Sequence, residues 1–296
     1  MSAVIMSGSQ IARQVKARIK QELQILGNIT PVLATILVGD NPASKTYLKN
    51  KHAACSEVGM ESRNIELPAS TSQAELEVLL KGLSIDPSIT GILLQLPLPK
   101  GLDEVSAINT IAPAKDVDGL HPYNLGMLLQ KSHAISPCTP KGVVVMLRHY
   151  GIPIAGSHVV IINRSKLVGR PLSQLLLNND ATVTVCHSKT HELSRLCKEA
   201  DILVTGIGHR SQMSVGGDMV KDGAAVVDVG TSVISGKLMG DVDFDAVCKV
   251  AGHITPVPGG VGPMTISMLL YNTLLTATRL SGRYLNFDPE NMSPED

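Results

Sequence analysis

Strand-length apolar runs that alternate with helical patterns along the whole chain constrain this fold more than any other feature. Val32–Val38, Ile89–Leu96, His158–Ile162, Thr182–Cys186, Ile202–Thr205 and Ala224–Val229 are such runs. A sheet with one wet face would alternate apolar and polar residues. Runs that stay apolar imply strands buried on both faces, which is the habit of parallel sheets covered by helices. The intervening segments supply those helices. Ile11, Val15, Ile19, Leu23 and Leu26 follow a helical period up to Gly27, so the basic residues Arg13, Lys16, Arg18 and Lys20 belong to a structural first helix rather than a presequence. Ser44 opens a helix that stops at Gly59, Ser72 with Glu75 makes a capping box, Asp103 can cap a short helix, and Thr139-Pro140 opens a helix to about Tyr150.

Gly151-Ile-Pro153 breaks this rhythm. A chain of 296 residues suits two domains. The expected division is one α/β lobe of residues 1–145 plus 266–296 and a Rossmann-type lobe of residues 146–265, with a cleft between them. The polar tail from Arg283 is expected to fray. Formal net charge is +0, which gives no electrostatic footprint for nucleic acid or an anionic membrane, and no apolar run reaches the roughly 20 residues of a membrane helix. Five scattered cysteines without a C-x-x-C read as reduced core thiols of a cytoplasmic protein.

Several polar residues stand where chemistry is possible. Tyr47 and Lys51 are four apart on one helix and so share a face. They form either an acid/base pair, with a desolvated amine, or part of a solvated basic face with Lys45 and Lys49. Their place far ahead of any nucleotide-binding turn argues against a short-chain dehydrogenase. Gln95 ends a buried strand in Leu93-Leu-Gln-Leu-Pro-Leu-Pro99, where open α/β sheets bind ligands, or else it bonds neighbouring backbone. Lys115-Asp-Val-Asp-Gly119 offers either an Asx turn or a buried carboxylate for the N–H groups of a heteroaromatic ring. Pro256-Val-Pro-Gly-Gly-Val-Gly-Pro-Met-Thr265 is stiff and bare, which suits a pocket wall ahead of a helix or a tight turn between domains.

In the second lobe, strand His158–Ile162 runs into Asn163-Arg-Ser-Lys-Leu-Val-Gly-Arg-Pro171. Asn163 takes the tight-turn position, where Asn tolerates a left-handed backbone. After the next strand, Ser188 and Lys189 stand where an NAD site wants an acid, so with Arg164 they suit the 2′-phosphate of NADP. His187 and His191 lack a third metal ligand, and no metal is expected.

Taken together, Ser44-x-x-Tyr47-x-x-x-Lys51, Gln95-Leu-Pro-Leu-Pro99, Lys115-Asp-Val-Asp-Gly119, Pro137-Cys-Thr-Pro-x-Gly142, Arg164-Ser-x-x-Val-Gly-x-Pro171, Asp228-Val-Gly230, Gly240-Asp-Val-Asp243 and Pro258-Gly-Gly-Val-Gly-Pro-Met-Thr265 resemble the bifunctional methylenetetrahydrofolate dehydrogenase/methenyltetrahydrofolate cyclohydrolase family. The resemblance implies NADP-dependent oxidation of 5,10-methylenetetrahydrofolate and hydrolysis of the methenyl product to 10-formyltetrahydrofolate. It implies that Lys51 carries the hydrolytic step, that Gln95 hydrogen-bonds Lys51, that Tyr47 packs on the folate's aminobenzoyl ring and that Asp118 grips the pterin. Leu96, Pro258, Gly259 and Gly260 would complete the folate site. Asn163, Arg164, Ser165, Ser188 and Thr231 match NADP-contacting positions, and the family forms homodimers through the Rossmann lobes. This chain departs from the family pattern at Asn163, at His209-Arg210 and at Thr231-Ser232, all on the cofactor side. An NADP oxidoreductase of shikimate-dehydrogenase type and a non-catalytic folate-binding relative are the rival readings.

Overall fold

A computed structural model describes residues 2–27, 29–132, 135–208, 213–234 and 236–293. Its strands are β1 (Val4–Ile5), β2 (Val32–Val38), β3 (Glu61–Leu67), β4 (Gly91–Leu94), β5 (His158–Ile162), β6 (Thr182–Cys186), β7 (Ile202–Thr205), β8 (Ala225–Asp228), β9 (Ser232–Ile234), β10 (Lys237–Met239) and β11 (His253–Ile254). Its helices are α1 (Gly8–Leu26), α2 (Pro42–Val58), α3 (Gln73–Ile85), α4 (Glu104–Thr110), α5 (Pro122–Leu129), α6 (Cys138–His149), α7 (Gly169–Asn178), α8 (Leu193–Lys198), α9 (Phe244–Val247) and α10 (Val261–Leu280). His209 and Arg210 lie outside the described residues.

The chain divides into two compact units. One comprises residues 15–138 and 266–287, and the other residues 1–14, 139–265 and 288–296. The first carries a parallel sheet in the order β3-β2-β4, with β2 paired to β3 along its whole length. Ala34, Ile36 and Val38 of β2 pack with Leu76, Leu80 and Leu83 of α3 and with Ala107 and Ile111. The alternate residues Leu33, Thr35 and Leu37 are buried too, as expected for a sheet covered on both faces. Ser72 and Glu75 close their capping box, and Asp103 caps α4. Helix α2 begins earlier than the Ser44 start read from the sequence, because the Asn41 side chain accepts from the amides of Ala43 and Ser44.

The second unit carries a parallel sheet in the order β1-β11-β8-β7-β5-β6. The expected division is corrected here. Residues 1–14 were placed with the first lobe, yet β1 pairs in parallel with β11, and the amides of Ala3, Val4 and Met6 donate to Cys248, Gly252 and Ile254. The apolar run around this strand, Ala3-Val-Ile-Met6, is short, and its partner lies far along the chain. Residues 139–145 also belong to this unit, as do residues 288–296.

Within the tail, Phe287, Asp288 and Glu290 are anchored rather than frayed. Phe287 is 8% exposed, sits edge-on to Tyr271 at 5.7 Å and lies under the Arg18 guanidinium at 5.8 Å. Asp288 and Glu290 pair with the buried ammonium of Lys141, and Glu290 also pairs with Arg148. No helix among the described residues is long and apolar enough to cross a membrane. Phe287→Ala removes a buried ring and its two partners, so it should cost about 3 kcal/mol of unfolding free energy, read from the urea midpoint at unchanged slope.

Candidate active site

Lys51 is the one lysine of α2 that faces inward. Lys45 and Lys49 are exposed, whereas Lys51 is 8% exposed and its Nζ donates to Gln95 Oε1 at 3.0 Å. Gln95 stands just past β4. Its Nε2 donates to the Leu96 carbonyl at 2.8 Å, so its oxygen is the end that faces the amine. The reading of Gln95 as bonded to neighbouring backbone is met by its amide nitrogen, while its oxygen is engaged by Lys51. The next residue along α2, His52, bridges Thr35 of β2 at 3.0 Å and Ser62 of β3 at 2.7 Å, which fixes the helix against its sheet.

Burial is the main cause that pulls the Lys51 pKa below the lysine value. The neighbouring Asp118 and Cys138 act in the opposite sense. The exposed lysines of α2, Lys45 and Lys49, are not among these influences. Asp118 is lifted above the ordinary carboxylate value by burial, partly offset by Lys51 and by a hydrogen bond with the Cys138 thiol. Cys138 is driven well up by burial and by Asp118. One amine, one carboxyl and one thiol thus share a little-solvated site, where proton positions are set by neighbours rather than by water.

Of the two carboxylates of Lys115-Asp-Val-Asp-Gly119, one takes the turn role. Asp116 makes the turn: it accepts from the amides of Gly119 and His121 and from Asn124 Nδ2. Asp118 is left facing Lys51. Gly119 has φ +74, and a Cβ there would lie 2.6 Å from the Pro137 nitrogen, so only glycine lets residues 116–119 lie against 135–137. Asn272 of α10 completes the frame. Its Nδ2 donates to the carbonyls of Val117 and Ser136, both at 2.9 Å, and toward Cys138 Sγ at 3.5 Å. Sequence reading missed both Cys138 and Asn272 as site residues. Cys138 passed for a core thiol, and Asn272 lay inside an apolar helical pattern. Tyr47, one turn before Lys51, is 43% exposed and presents a free ring face.

The dinucleotide residues gather at one edge of the second unit. β5 is flanked by β6 on one side and β7 on the other, so the chain reverses direction across β5, and ligands of open parallel sheets bind beyond the strand ends at such a point. Asn163 follows β5, Ser188 follows β6 and Thr231 follows β8. Arg164, Ser165, Ser188 and Thr231 are exposed there. Asn163 does not use a left-handed backbone as the sequence suggested; it is absent from the positive-φ residues. Its side chain builds the turn instead. Oδ1 accepts from the amides of Ser165 (2.7 Å) and Gly169 (3.0 Å), while Nδ2 donates to the Gly206 carbonyl beyond β7. A Cβ on Gly169 would lie 2.0 Å from the Asn163 carbonyl oxygen, so the turn is as close as a glycine-rich one.

The donors at this edge fit an anionic dinucleotide. Arg164, Lys166 and Lys189 are exposed cations beside the hydroxyls of Ser165 and Ser188. The start of α7 is already capped, since Ser165 Oγ accepts from Val168 and Asn163 from Gly169. The exposed groups left to meet an anion at this edge are the side chains. His187 belongs to the turn after β6: its Nδ1 accepts from the Lys189 amide at 3.1 Å. Pro258, Gly259 and Gly260 stand in this second unit, where the Gly259 carbonyl accepts from the Ser9 amide at 2.9 Å.

Residues 6–118 match the model of the tetrahydrofolate dehydrogenase/cyclohydrolase catalytic domain, and residues 137–281 match that of the tetrahydrofolate dehydrogenase/cyclohydrolase NAD(P)-binding domain. The chain belongs to the tetrahydrofolate dehydrogenase/cyclohydrolase family. It is 49% identical over 285 residues to the bifunctional protein FolD of Nitrosopumilus maritimus, covering 96% of this chain and 99% of that one. It is 50% identical over 286 residues to the FolD of Geobacillus thermodenitrificans, covering 96% and 100%. The crystal structure of the Campylobacter jejuni bifunctional FolD enzyme superposes with a TM-score of 0.91 at 44% identity, covering 94% of this chain and 99% of that one. The Trypanosoma brucei methylenetetrahydrofolate dehydrogenase-cyclohydrolase, solved with NADP and an inhibitor, superposes with a TM-score of 0.90 at 38% identity, covering 96% and 100%.

Asn272→Leu removes the amide donor of the Ser136 carbonyl and leaves the Val117 carbonyl only the weak Cys138 thiol. It should cost about 1–3 kcal/mol per carbonyl in urea unfolding, and the KM for folate should rise as Asp118 loses its register.

Proposed function

We infer that this chain carries out two linked steps on one folate. It oxidises 5,10-methylenetetrahydrofolate to 5,10-methenyltetrahydrofolate with NADP, and it hydrolyses the methenyl cation to 10-formyltetrahydrofolate. The observation that carries the hydrolytic assignment is the buried Lys51 amine held by Gln95 beside Asp118. A fully charged lysine could neither approach a cationic substrate cheaply nor accept a proton. Burial shifts Lys51 toward the neutral form, which can do both.

In this reading, Lys51 takes a proton from the attacking water as its oxygen bonds to the bridge carbon. The carbon–N5 bond then breaks, the hydroxyl proton passes to N5, and one proton is released overall. Gln95 accepts one N–H of Lys51 and so holds the amine in place while its lone pair stays unengaged. Asp118 accepts N–H groups of the pterin, and its charge sets how far the lysine pKa falls. The exposed ring of Tyr47 stacks on the aminobenzoyl group, with Leu96 alongside. Pro258, Gly259 and Gly260 contribute a stiff folate-binding segment.

Bound NADP⁺ supplies the hydride acceptor for the first step. The chain's part is to bind and orient it through Asn163, Arg164, Ser165, Ser188 and Thr231. The cations and hydroxyls after β5 and β6, with no acid among Ser188, Lys189 and Thr190, support NADP over NAD. The rival readings lose ground on the same residues. Gln95 and Asp118 are built for donors on a heteroaromatic ring rather than for a hydroxy acid, and the buried amine has no purpose in a protein that only binds.

The reading includes a homodimer through the dinucleotide unit. It is supported by β6, which ends the sheet and leaves Val185 and neighbouring Leu177 exposed. Light scattering should then give twice the 31.4 kDa of the chain. A cytoplasmic setting agrees with five free cysteines.

Lys51→Met should abolish the enzymatic decay of methenyltetrahydrofolate absorbance while NADP⁺ binding stays within about twofold. In the parent protein the hydrolytic rate should climb with pH as Lys51 loses its proton. The midpoint should lie below the lysine value of 10.5, because burial lowers that pKa. A rate that falls with pH would oppose the assignment. Arg164→Ala should weaken NADP⁺ binding by on the order of tenfold and flatten its dependence on salt.

A further inference from the structure

Two carboxylates buried in the dinucleotide unit take no part in the chemistry described so far. Asp241 is 0% exposed and Asp228 is 3% exposed. Asp228 ends β8, and Asp241 follows the β9–β10 hairpin. Asp241 Oδ2 accepts from the Ile207 amide at 2.5 Å and from Thr205 Oγ1 at 3.1 Å, and its Oδ1 accepts from the Gly208 amide at 3.0 Å. Asp228 Oδ1 accepts from the Gly230 amide and Oδ2 from the Val242 amide, both at 2.9 Å. A Cβ on Gly230 would lie 2.1 Å from the Asp241 carboxylate, so this glycine is bare where the acid presses on it.

These contacts form one path through the binding edge. Asp241 holds the amides of Ile207 and Gly208. The preceding Gly206 carbonyl accepts from Asn163, and Asn163 in turn holds the amides of Ser165 and Gly169. On its other side Asp241 packs on Gly230, the residue before Thr231. We propose that Asp241 is the positioning residue of the dinucleotide site, a buried anion that holds the segments after β5, β7 and β8 in the geometry NADP requires. This rests on the NADP reading above and extends it to a residue that need not touch the ligand.

The chemistry explains why an acid stands here. The two amides bond to different oxygens, so both carboxylate oxygens must accept. Asparagine has one accepting oxygen, and either rotamer turns its NH₂ toward a peptide N–H. Burial is costly for such a pair, and it shows on the partner. Asp228 is lifted to about 6, by burial first and by the neighbouring Asp241 as well, against the hydrogen bonds of Val242, Asp241 and Gly230 that favour its anion. A fold that sought only stability would fill this place with apolar groups.

The test is Asp241→Asn in the full chain, with Thr205→Val as a milder companion. Hydrogen exchange is first measured without dinucleotide. The amides of Ile207 and Gly208 should exchange at least about tenfold faster in Asp241→Asn, while those of β2 keep the parent rate. Calorimetry should then show the Kd for NADP⁺ raised by on the order of tenfold in Asp241→Asn and about threefold in Thr205→Val. Hydrolysis of methenyltetrahydrofolate, assayed without dinucleotide, should stay within about twofold of the parent. Unchanged exchange at 207 and 208, an unchanged Kd, or equal loss of both activities would overturn the proposal. If Asp241→Asn does not fold, Thr205→Val decides alone by the same three readings. A parent protein that fails to bind NADP⁺ would instead overturn the dinucleotide reading itself.

Discussion

An amine kept out of water is the constraint on which the rest of this molecule turns. Lysine is among the residues least often buried, because its charge loses hydration and its long side chain loses freedom. Here the loss is offset piecemeal: one hydrogen bond donated to Gln95, one nearby carboxyl and a helix fixed to its sheet by His52. None of these neutralises the group outright. A tight ion pair with Asp118 would have raised the lysine pKa and removed its use as a base. Isolation without partners would have made the site too costly to fold. In the observed balance burial is the larger influence and Asp118 the smaller, so the lysine pKa is drawn down rather than up.

The framework around Asp118 shows how a fold separates a carboxylate saturated by turn donors from one left to face a basic side chain. Asp116 and Asp118 are two residues apart, yet one is saturated by peptide N–H groups and the other faces Lys51. What distinguishes them is the supply of donors. Gly119, His121 and Asn124 all point at Asp116, so it is a turn element. Asp228 and Asp241 repeat the saturated pattern in the other unit, where the same chemistry shapes loops instead of moving protons.

Much of this was legible in the sequence where the signal was local. β5, β6 and β7 coincide with the apolar runs His158–Ile162, Thr182–Cys186 and Ile202–Thr205, because a buried strand needs apolar residues at successive positions. The Ser72 capping box and the shared face of Tyr47 and Lys51 follow from helix geometry over four residues. Contacts made across long stretches of chain were not legible. The pairing of β1 with β11, the reach of Asn272 to Val117, and the grip of Asp241 on Ile207 join residues whose spacing carries no pattern. The tail misled for a related reason: its polar composition suggests disorder, but Asp288 and Glu290 meet a buried ammonium that only the folded chain supplies.

Asn163 shows why a departure from a family pattern need not be a loss of function. Glycine at a nucleotide-binding turn allows the backbone to bend and to approach a phosphate. Asparagine here does neither through its backbone. Its amide group reaches both ways, donating to Gly206 and accepting from Ser165 and Gly169, and so ties the turn after β5 to the loop after β7. The cost is that those turn amides are spent on Asn163 and cannot bind phosphate. The compensation is Arg164, Lys166 and Lys189, exposed cations that can reach an anion without help from the peptide groups. Rigidity and charge, supplied together by peptide groups in a glycine-rich turn, are carried by different side chains in this one. That separation is what gives a residue as remote as Asp241 leverage over the binding edge.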